Sequence, residues 1–158
     1  MTARELPSIA NLVGSVLQRV AAPHRPLFIA LAERLAAERY RRWARDANGP
    51  ARHELLACAA REDAIADRVA ALYPDAASLE QSLRADHPEP EEVYEALFAG
   101  RPLEEQFAIQ AAGERAGAAV WRSFAAQTEQ DDARRAFLAC AELEEQSATY
   151  LESILAGG

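Results

Sequence analysis

The sequence predicts an all-α protein, and three observations support this fold class. Alanine, leucine, glutamate and arginine, which favour helices, are abundant among its 158 residues. Apolar residues recur at helical spacing along most of the chain, whereas no segment shows the strict alternation of a half-buried strand. The length is typical of one domain with a single core, which we place over residues 1–158.

The N-terminal half divides into a leading helix and a helical hairpin. Apolar positions at helical spacing predict the leading helix over residues 1–22, which Pro23 and Pro26 bring to an end. The first hairpin spans residues 27–73, and its turn lies at the motif "NGP" (Asn48–Pro50). We therefore expect two antiparallel helices with a short connection in this region.

A long crossover and a second hairpin complete the chain. The crossover covers residues 74–101 and holds two short helical patterns, at Leu79–Leu83 and Glu91–Phe98. The second hairpin covers residues 102–155 and begins at Pro102, a residue suited to a first helical turn. Two hairpins joined by one long crossover predict a four-helix bundle that differs from a simple up-and-down bundle.

Charge and hydropathy exclude two classes of partner. Seventeen basic residues against 25 acidic ones give a net charge of −8, so the chain lacks the basic face that nucleic-acid binding requires. No apolar run approaches the roughly 20 residues that a membrane span needs. We therefore expect neither a nucleic acid nor a membrane as a partner.

The cysteines predict a reducing compartment. Two cysteines, Cys58 and Cys140, are too few for a disulfide framework, and the N-terminus does not resemble a signal peptide. Both cysteines lie on apolar stripes, where free cysteines commonly act as small core residues. We expect a cytoplasmic protein in which both thiols are reduced and buried.

The motif "LACA" occurs twice, at Leu56–Ala59 and at Leu138–Ala141. Superposing the two copies places Glu62 on Glu144. The preceding helices also align, with "LAERLAAERYRRWA" over "AGERAGAAVWRSFA", which places Glu33 on Glu114 and Tyr40 on Trp121. Alanine-rich helices align easily by chance, so the repeat gains its weight from the glutamates that it superposes.

Each of the four long helices carries one glutamate in its apolar stripe, and we predict that these four carboxylates meet at one level inside the protein. The spacing within the two hairpins is similar, as expected for residues at one level of two antiparallel helices. An isolated buried carboxylate is very costly, so four of them require cations, protons or arginines. The four candidate residues are Glu33, Glu62, Glu114 and Glu144.

With these glutamates, the chain resembles the ferritin-like superfamily, and within it the rubrerythrin-like branch, over Leu27–Leu155. That family uses a Glu on one helix and Glu-x-x-His on the next, twice over, to hold two metal ions. The resemblance implies a ferritin-like four-helix bundle in which the four glutamates are metal ligands. It also implies a di-metal-carboxylate oxidoreductase, should the protein be an enzyme.

The sequence departs from the family pattern at both histidines. Ile65 stands three residues after Glu62, and Ser147 stands three residues after Glu144. The chain's own histidines, at positions 24, 53 and 87, are expected at the surface. Four carboxylates without imidazole suit hard divalent cations such as Mn²⁺ or Mg²⁺, so we expect iron to bind weakly. The expected cofactor is a divalent metal, Fe or Mn, or none.

Three interpretations of the four glutamates remain open. They hold a metal with a redox or metal-handling role, or they line a remodelled polar pocket for a small ligand. In the third interpretation they are surface or ion-paired residues, with arginines 34, 61 and 115 as partners, and the protein is a metal-free structural or interaction protein.

The remaining aromatic and basic motifs have structural interpretations. Tyr40, Trp43, Trp121 and Phe124 are expected to pack in the core. The basic run "RYRRWAR" (Arg39–Arg45) is expected to be a solvated helix face. The short first helix and the aromatic faces favour a homodimer, whereas the sequence identifies neither a protein partner nor a small-molecule ligand.

Overall fold

The computed structural model describes residues 5–157, and these form α-helices without a strand. The all-α prediction is confirmed for this part of the chain. A single 3₁₀ turn, Ala22–His24, lies between the first two helices. In chain order the seven α-helices are α1 Ile9–Leu17, α2 Arg25–Asp46, α3 Gly49–Ala70, α4 Ala76–Asp86, α5 Glu89–Phe98, α6 Leu103–Gln127 and α7 Asp131–Gly157.

The leading helix is shorter than the predicted range 1–22, of which residues 1–4 lie outside the described part. α1 follows Ser8, whose hydroxyl accepts a hydrogen bond from a backbone N–H of the first turn. It ends at Leu17, where backbone bonds over three residues tighten the chain. This turn buries Val20 in the core, and that burial explains why the helix stops earlier than its apolar pattern.

Prolines lie in the first turns of α2, α3 and α5. Pro26 lies in the first turn of α2, which starts two residues before the predicted hairpin. Pro50 lies in the first turn of α3, directly after Gly49, which adopts the left-handed conformation with φ of 55°. The missing N–H of proline costs little in a first turn, because that group has no partner within the helix. A proline after an apolar pattern therefore marks the next helix as well as the end of the last one.

The four long helices pack in two pairs, α2 along α3 and α6 along α7, and α3 packs against α7. α1 lies against α6 and α5, while α4 and α5 lie against α2. Long side chains connect α2 with α6. For example, Trp43 on α2 donates a hydrogen bond from Nε1 to Gln106 on α6 at 3.0 Å. The short helices of the crossover therefore cover α2 instead of extending the hairpins.

Aromatic side chains fill the two ends of the interior. At one end the ring of Trp121 stacks on Phe137, with centroids 5.9 Å apart, and meets Phe124 edge-on. At the other end Trp43 packs edge-on against Tyr40 and Phe107. Trp121 and Tyr40 are fully buried, which confirms their predicted core role, whereas Trp43 and Phe124 are half-buried and pack against the edge of the core.

The basic run Arg39–Arg45 differs from the prediction at its first residue. Arg39 is 2% exposed, and its guanidinium lies 3.7 Å from the ring centroid of Phe98. Helical periodicity brings this position to the inner face beside Tyr40, so the side chain cannot reach water. Only the outer members follow the prediction, as Arg42 is exposed and pairs with Glu95 at 2.9 Å.

The histidines are less uniform than predicted. His53 is exposed, and His24 and His87 are half-buried. The ring of His87 meets Phe28 edge-on at 5.9 Å, because α4 packs against α2 near this point.

Among residues 5–157, no helix combines the length and hydropathy that a membrane crossing requires.

The close packing of the interior predicts that alanine substitutions at two leucines will change the stability of the protein by very different amounts. Leu27 is fully buried, whereas Leu138 is 44% exposed on α7. We expect Leu27→Ala to lower the free energy of unfolding by about 2–5 kcal/mol, because the truncation leaves a cavity in a packed core. Leu138→Ala is the matched control and should change it by less than about 0.5 kcal/mol. Urea denaturation followed by circular dichroism measures both, and equal effects would contradict this packing.

Candidate metal centre

The four predicted glutamates lie in the interior, one on each long helix. Glu33 on α2 is 8% exposed, and Glu62 on α3 is fully buried. Glu114 on α6 and Glu144 on α7 are each 1% exposed. The interpretation of these residues as surface carboxylates is therefore wrong, because the apolar stripes that they interrupt are the buried faces of their helices.

Three of the four carboxylates converge. Glu33, Glu62 and Glu144 each place one carboxylate oxygen within 4.8 Å of the other two. Such a group of oxygens could surround one cation. Glu114 is not a member of this group, although it lies on the floor of the same pocket as Glu33 and Glu144. We call the three converging residues the carboxylate cluster.

Glu114 has protein partners of its own. Its Oε1 accepts hydrogen bonds from the hydroxyl of Tyr40 and from Nε2 of Gln110, each at 2.7 Å. Oε1 of Gln110 in turn accepts a bond from Nη1 of Arg39 at 3.0 Å. The buried arginine is thus connected to Glu114 through one amide. This network orients Glu114, which lies close enough to Glu62 and Glu144 to raise the pKa of both carboxyl groups.

The sequence contains one indication of this network, at Gln110. Gln110 occupies the turn before Glu114 on the buried face of α6 and is itself 4% exposed. A polar residue on an apolar stripe needs a hydrogen-bonding partner, so its place predicts a polar contact. The identity of the partner follows only from the packing of α2 against α6.

Glu144 is held by a tryptophan and by a gap in α6. Nε1 of Trp121 donates a hydrogen bond to its Oε1 at 2.9 Å. Gly117 makes room for the carboxylate, because a Cβ at this position would lie 2.6 Å from the same oxygen. A larger residue at 117 would therefore displace Glu144 from the cluster.

Glu62 has no partner of this kind. Both of its carboxylate oxygens are buried, and neither has a hydrogen-bond partner among the described residues. In the internal repeat Glu62 corresponds to Glu144, and Tyr40 corresponds to Trp121. Trp121 donates to Glu144, but Tyr40 donates to Glu114. The two halves of the repeat therefore differ at Glu62, which does not receive from Tyr40 the hydrogen bond that Glu144 receives from Trp121.

The arginines expected as ion-pair partners point elsewhere. Nη1 of Arg34 lies 3.3 Å from a carboxylate oxygen of Asp67, and Arg115 pairs with Glu152 at 2.9 Å. Arg61 donates from Nε to the hydroxyl of Ser147 at 2.9 Å. Within residues 5–157, no salt bridge involves Glu33, Glu62, Glu114 or Glu144. The interpretation that pairs them with these arginines is wrong.

Burial raises the pKa of all three carboxyl groups in the cluster. For Glu33 desolvation is the main cause. For Glu62 the negative charges of Glu114 and Glu33 raise the pKa further, well above the ordinary value. Glu144 behaves in the same way, again through burial first and the neighbouring carboxylates second. The cluster therefore takes up protons unless another cation replaces them.

The donor set around the cluster contains oxygen but no imidazole. Ile65 and Ser147, which stand where the family has histidines, are both fully buried. The Ser147 hydroxyl accepts its bond from Arg61, so it faces a cation already. No histidine belongs to the cluster in the described part of the chain. These residues fit a hard divalent cation with carboxylate ligands and do not fit the histidine-containing di-iron centre.

Both cysteines are buried and free, as predicted. Sγ of Cys58 lies 3.2 Å from Nη2 of Arg61, which donates to it. Burial raises the pKa of both thiols, that of Cys140 to about 12. Because the thiolate is the reactive form, the raised pKa values make both cysteines poor nucleophiles at neutral pH, and neither belongs to the carboxylate cluster.

A pocket of about 110 Å³ lies over the cluster, between α1, α2 and α6. Its floor includes Glu33, which is the most exposed of the four glutamates, together with Glu114 and Glu144. α1 supplies much of its wall. A pocket lined by the glutamates was one interpretation of the sequence, but the contribution of α1 was not predicted, because the position of a short leading helix depends on packing and not on its apolar pattern.

Comparisons with known proteins return no match: no family model, no curated protein and no solved structure is significantly similar to this chain. A proposal for the function therefore rests on the geometry of the glutamates and of the residues around them.

The raised pKa values predict a pH-dependent stability for the metal-free protein. A folded state with raised carboxyl pKa values binds more protons than the unfolded chain above pH 4.5, so the free energy of unfolding falls as the pH rises through that window. Glu62→Gln removes one of these acids. We expect this variant to gain stability over the parent as the pH rises from 5 to 8, by about 1 kcal/mol or more.

Urea denaturation at each pH in the presence of a chelator measures this difference. The matched control is Glu142→Gln, which changes an exposed carboxylate on α7 and should leave the pH profile parallel to that of the parent. A Glu62→Gln profile parallel to the parent would show that Glu62 is ionised in the metal-free fold.

Proposed function

We propose that this protein is a ferritin-like four-helix bundle that binds one divalent cation through carboxylate oxygens alone, with a metal-handling or redox role in the cytoplasm. The cation is held by Glu33, Glu62 and Glu144. Glu114 belongs to the same interior but is oriented by protein hydrogen bonds. When bound, such a cation would supply Lewis acidity or, as manganese or iron, an electron-transfer site.

The observation that carries the proposal is the state of Glu62. Its carboxylate is fully buried, has no hydrogen-bond partner among residues 5–157, and has an oxygen within 4.8 Å of two further carboxylate oxygens. Burying one charged carboxylate costs on the order of several kcal/mol, even after the surrounding protein has relaxed. Because no arginine in the described part of the chain forms a salt bridge with Glu62, an external cation or a set of protons must offset this cost.

The donor chemistry favours Mn²⁺ or Mg²⁺ as the ion. Both prefer oxygen ligands, whereas the iron sites of the resembling family use imidazole as well. Ile65 offers no ligand, and the Ser147 hydroxyl already accepts a bond from Arg61. Fe²⁺ is therefore expected to bind more weakly than it would at a site with histidine.

The architecture supports the ferritin-like part of the proposal. α2 with α3 and α6 with α7 form two helical hairpins, and α4 and α5 make up the long connection between them. Each hairpin contributes two glutamates to the interior. A homodimer remains a prediction of the sequence.

A metal-free role is the second candidate, and the raised pKa values favour it. Three carboxyl groups with raised pKa values can share protons and stabilise one another without a metal. In that case the protein would serve as a structural or interaction protein, or as a binder of a small molecule in the pocket under α1.

A metal titration separates the two candidates. We expect the protein purified without chelator to bind about one Mn²⁺ per chain, and Glu62→Ala to abolish binding, because it removes a ligand from the centre of the cluster. Metal should also raise the melting temperature of the parent and not that of the variant. Isothermal titration calorimetry and elemental analysis provide the stoichiometry.

Glu142→Ala is the matched control, since Glu142 is an exposed glutamate near Glu144 and should leave binding unchanged. If Glu62→Ala binds as well as the parent, the metal does not occupy the cluster. A tight, stoichiometric di-iron centre would show that the missing histidines do not set the metal preference.

A further inference from the structure

The pocket over the carboxylate cluster reaches the surface at the seam between α1 and α6. Its inner side is lined by Glu33 and Glu144, two members of the cluster. Two of the residues that line it are exposed at the surface, Ala10 and Gly14, and both lie on α1. On the α6 side of the seam, Ala116 is half-buried. The pocket therefore connects the cluster with the surface along this seam.

Small residues form the seam on both helices. No atom lies within 4 Å of the position that a Cβ of Gly14 would take, so space remains beside this residue of α1. On α6 the pocket is lined by Ala116 and Gly117, and a Cβ at Gly117 would lie 2.6 Å from Oε1 of Glu144. A ligand of the proposed metal site thus lies directly behind the small residues of α6.

Larger side chains close the other sides of the pocket. Tyr94 of α5 is 5% exposed and separates this pocket from a second cavity beside α4, since it lines both. Ile29 of α2 is equally buried. Among the four glutamates, Glu33 keeps the largest exposed fraction, and it lines this pocket. The part of the pocket wall that reaches the surface therefore belongs to α1.

α1 is held in place by few buried side chains. Within Ile9–Leu17 the buried residues are Ile9 and Val16. Ile9 packs closely over Gly113 of α6, because a Cβ at Gly113 would lie 2.8 Å from its Cδ1. A short helix with two buried side chains undocks more readily than the long helices, whose buried faces extend over several turns.

We propose that the divalent cation enters and leaves the carboxylate cluster through this seam, and that α1 is the gate of the site. The proposal rests on the proposed metal function and names the route to that same site. A gate sets the rates at which the ion is loaded and released. It leaves the affinity unchanged, because the affinity depends on the empty and the loaded state and not on the route between them.

The test places one leucine at the seam and another away from it. Gly14→Leu adds a long side chain at the exposed edge of the pocket, where a Cβ meets no other atom. Ser15→Leu is the matched control, since Ser15 is an exposed residue of α1 that does not line the pocket. We expect Gly14→Leu to slow both loading and release by about fivefold or more relative to Ser15→Leu, with dissociation constants that agree within about twofold.

Stopped-flow fluorescence measures both steps. Mixing metal-free protein with Mn²⁺ gives the loading rate, and mixing loaded protein with excess EDTA gives the release rate. Tryptophan fluorescence reports on the site, because Nε1 of Trp121 donates a hydrogen bond to Glu144. Equilibrium titration of the same variants with Mn²⁺ gives the dissociation constants.

Ile9→Ala should have the opposite effect on the rates. The truncation removes one of the two buried side chains that hold α1, so the gate should open more often. We expect loading and release both to become about threefold faster or more, with the affinity for Mn²⁺ retained. If Ile9→Ala does not fold, the comparison of Gly14→Leu with Ser15→Leu still decides the proposal.

The outcomes separate the gate from the metal site. If the parent binds Mn²⁺ but Gly14→Leu loads and releases it as fast as Ser15→Leu, the gate is overturned and the metal function stands. A Gly14→Leu variant that loses affinity at an unchanged loading rate also overturns the gate, because the substitution then acts on the site and not on the route. A parent that binds no Mn²⁺ overturns the proposed metal function and the gate with it.

Discussion

The burial of four carboxyl groups that form no salt bridge with any arginine among residues 5–157 is the constraint on which this structure depends. Each glutamate replaces an apolar residue in the stripe of its helix, so the four long helices cannot pack without enclosing negative charge. The nearby arginines make exposed or half-buried contacts with other partners. The fold therefore requires protons or an external cation in its centre, and its stability depends on which of them is present.

The two halves of the repeat have diverged around this centre. Trp121 holds Glu144, whereas its counterpart Tyr40 holds Glu114 across the gap between α2 and α6. Gln110 and Gly117 also belong to the second half alone, where one orients Glu114 and the other makes room for Glu144. As a result both carboxylate oxygens of Glu62 are buried without a hydrogen-bond partner among the described residues.

The order of the long helices was largely predictable, because amphipathic helices show apolar residues at helical spacing and are bounded by prolines. The burial of the glutamates was predictable for the same reason, since each interrupts an apolar stripe. The inward turn of Arg39, by contrast, depends on Phe98 of the crossover, which a periodic pattern cannot pair with it. The partners of Arg61 likewise follow from the packing of α3 against α7. Contacts between helices could therefore not be predicted where a side chain had several possible partners.

The number of protons released on metal binding tests the central claim most directly. If a divalent cation replaces the protons of the cluster, Mg²⁺ or Mn²⁺ binding near pH 6 should release about one or more protons per ion. Calorimetric titrations in two buffers of different ionisation enthalpy give this number. The release should fall toward zero as the pH rises above the raised pKa values of Glu62 and Glu144. Binding without proton release at pH 6, or no binding at any pH, would contradict the claim that this interior exchanges protons for a metal ion.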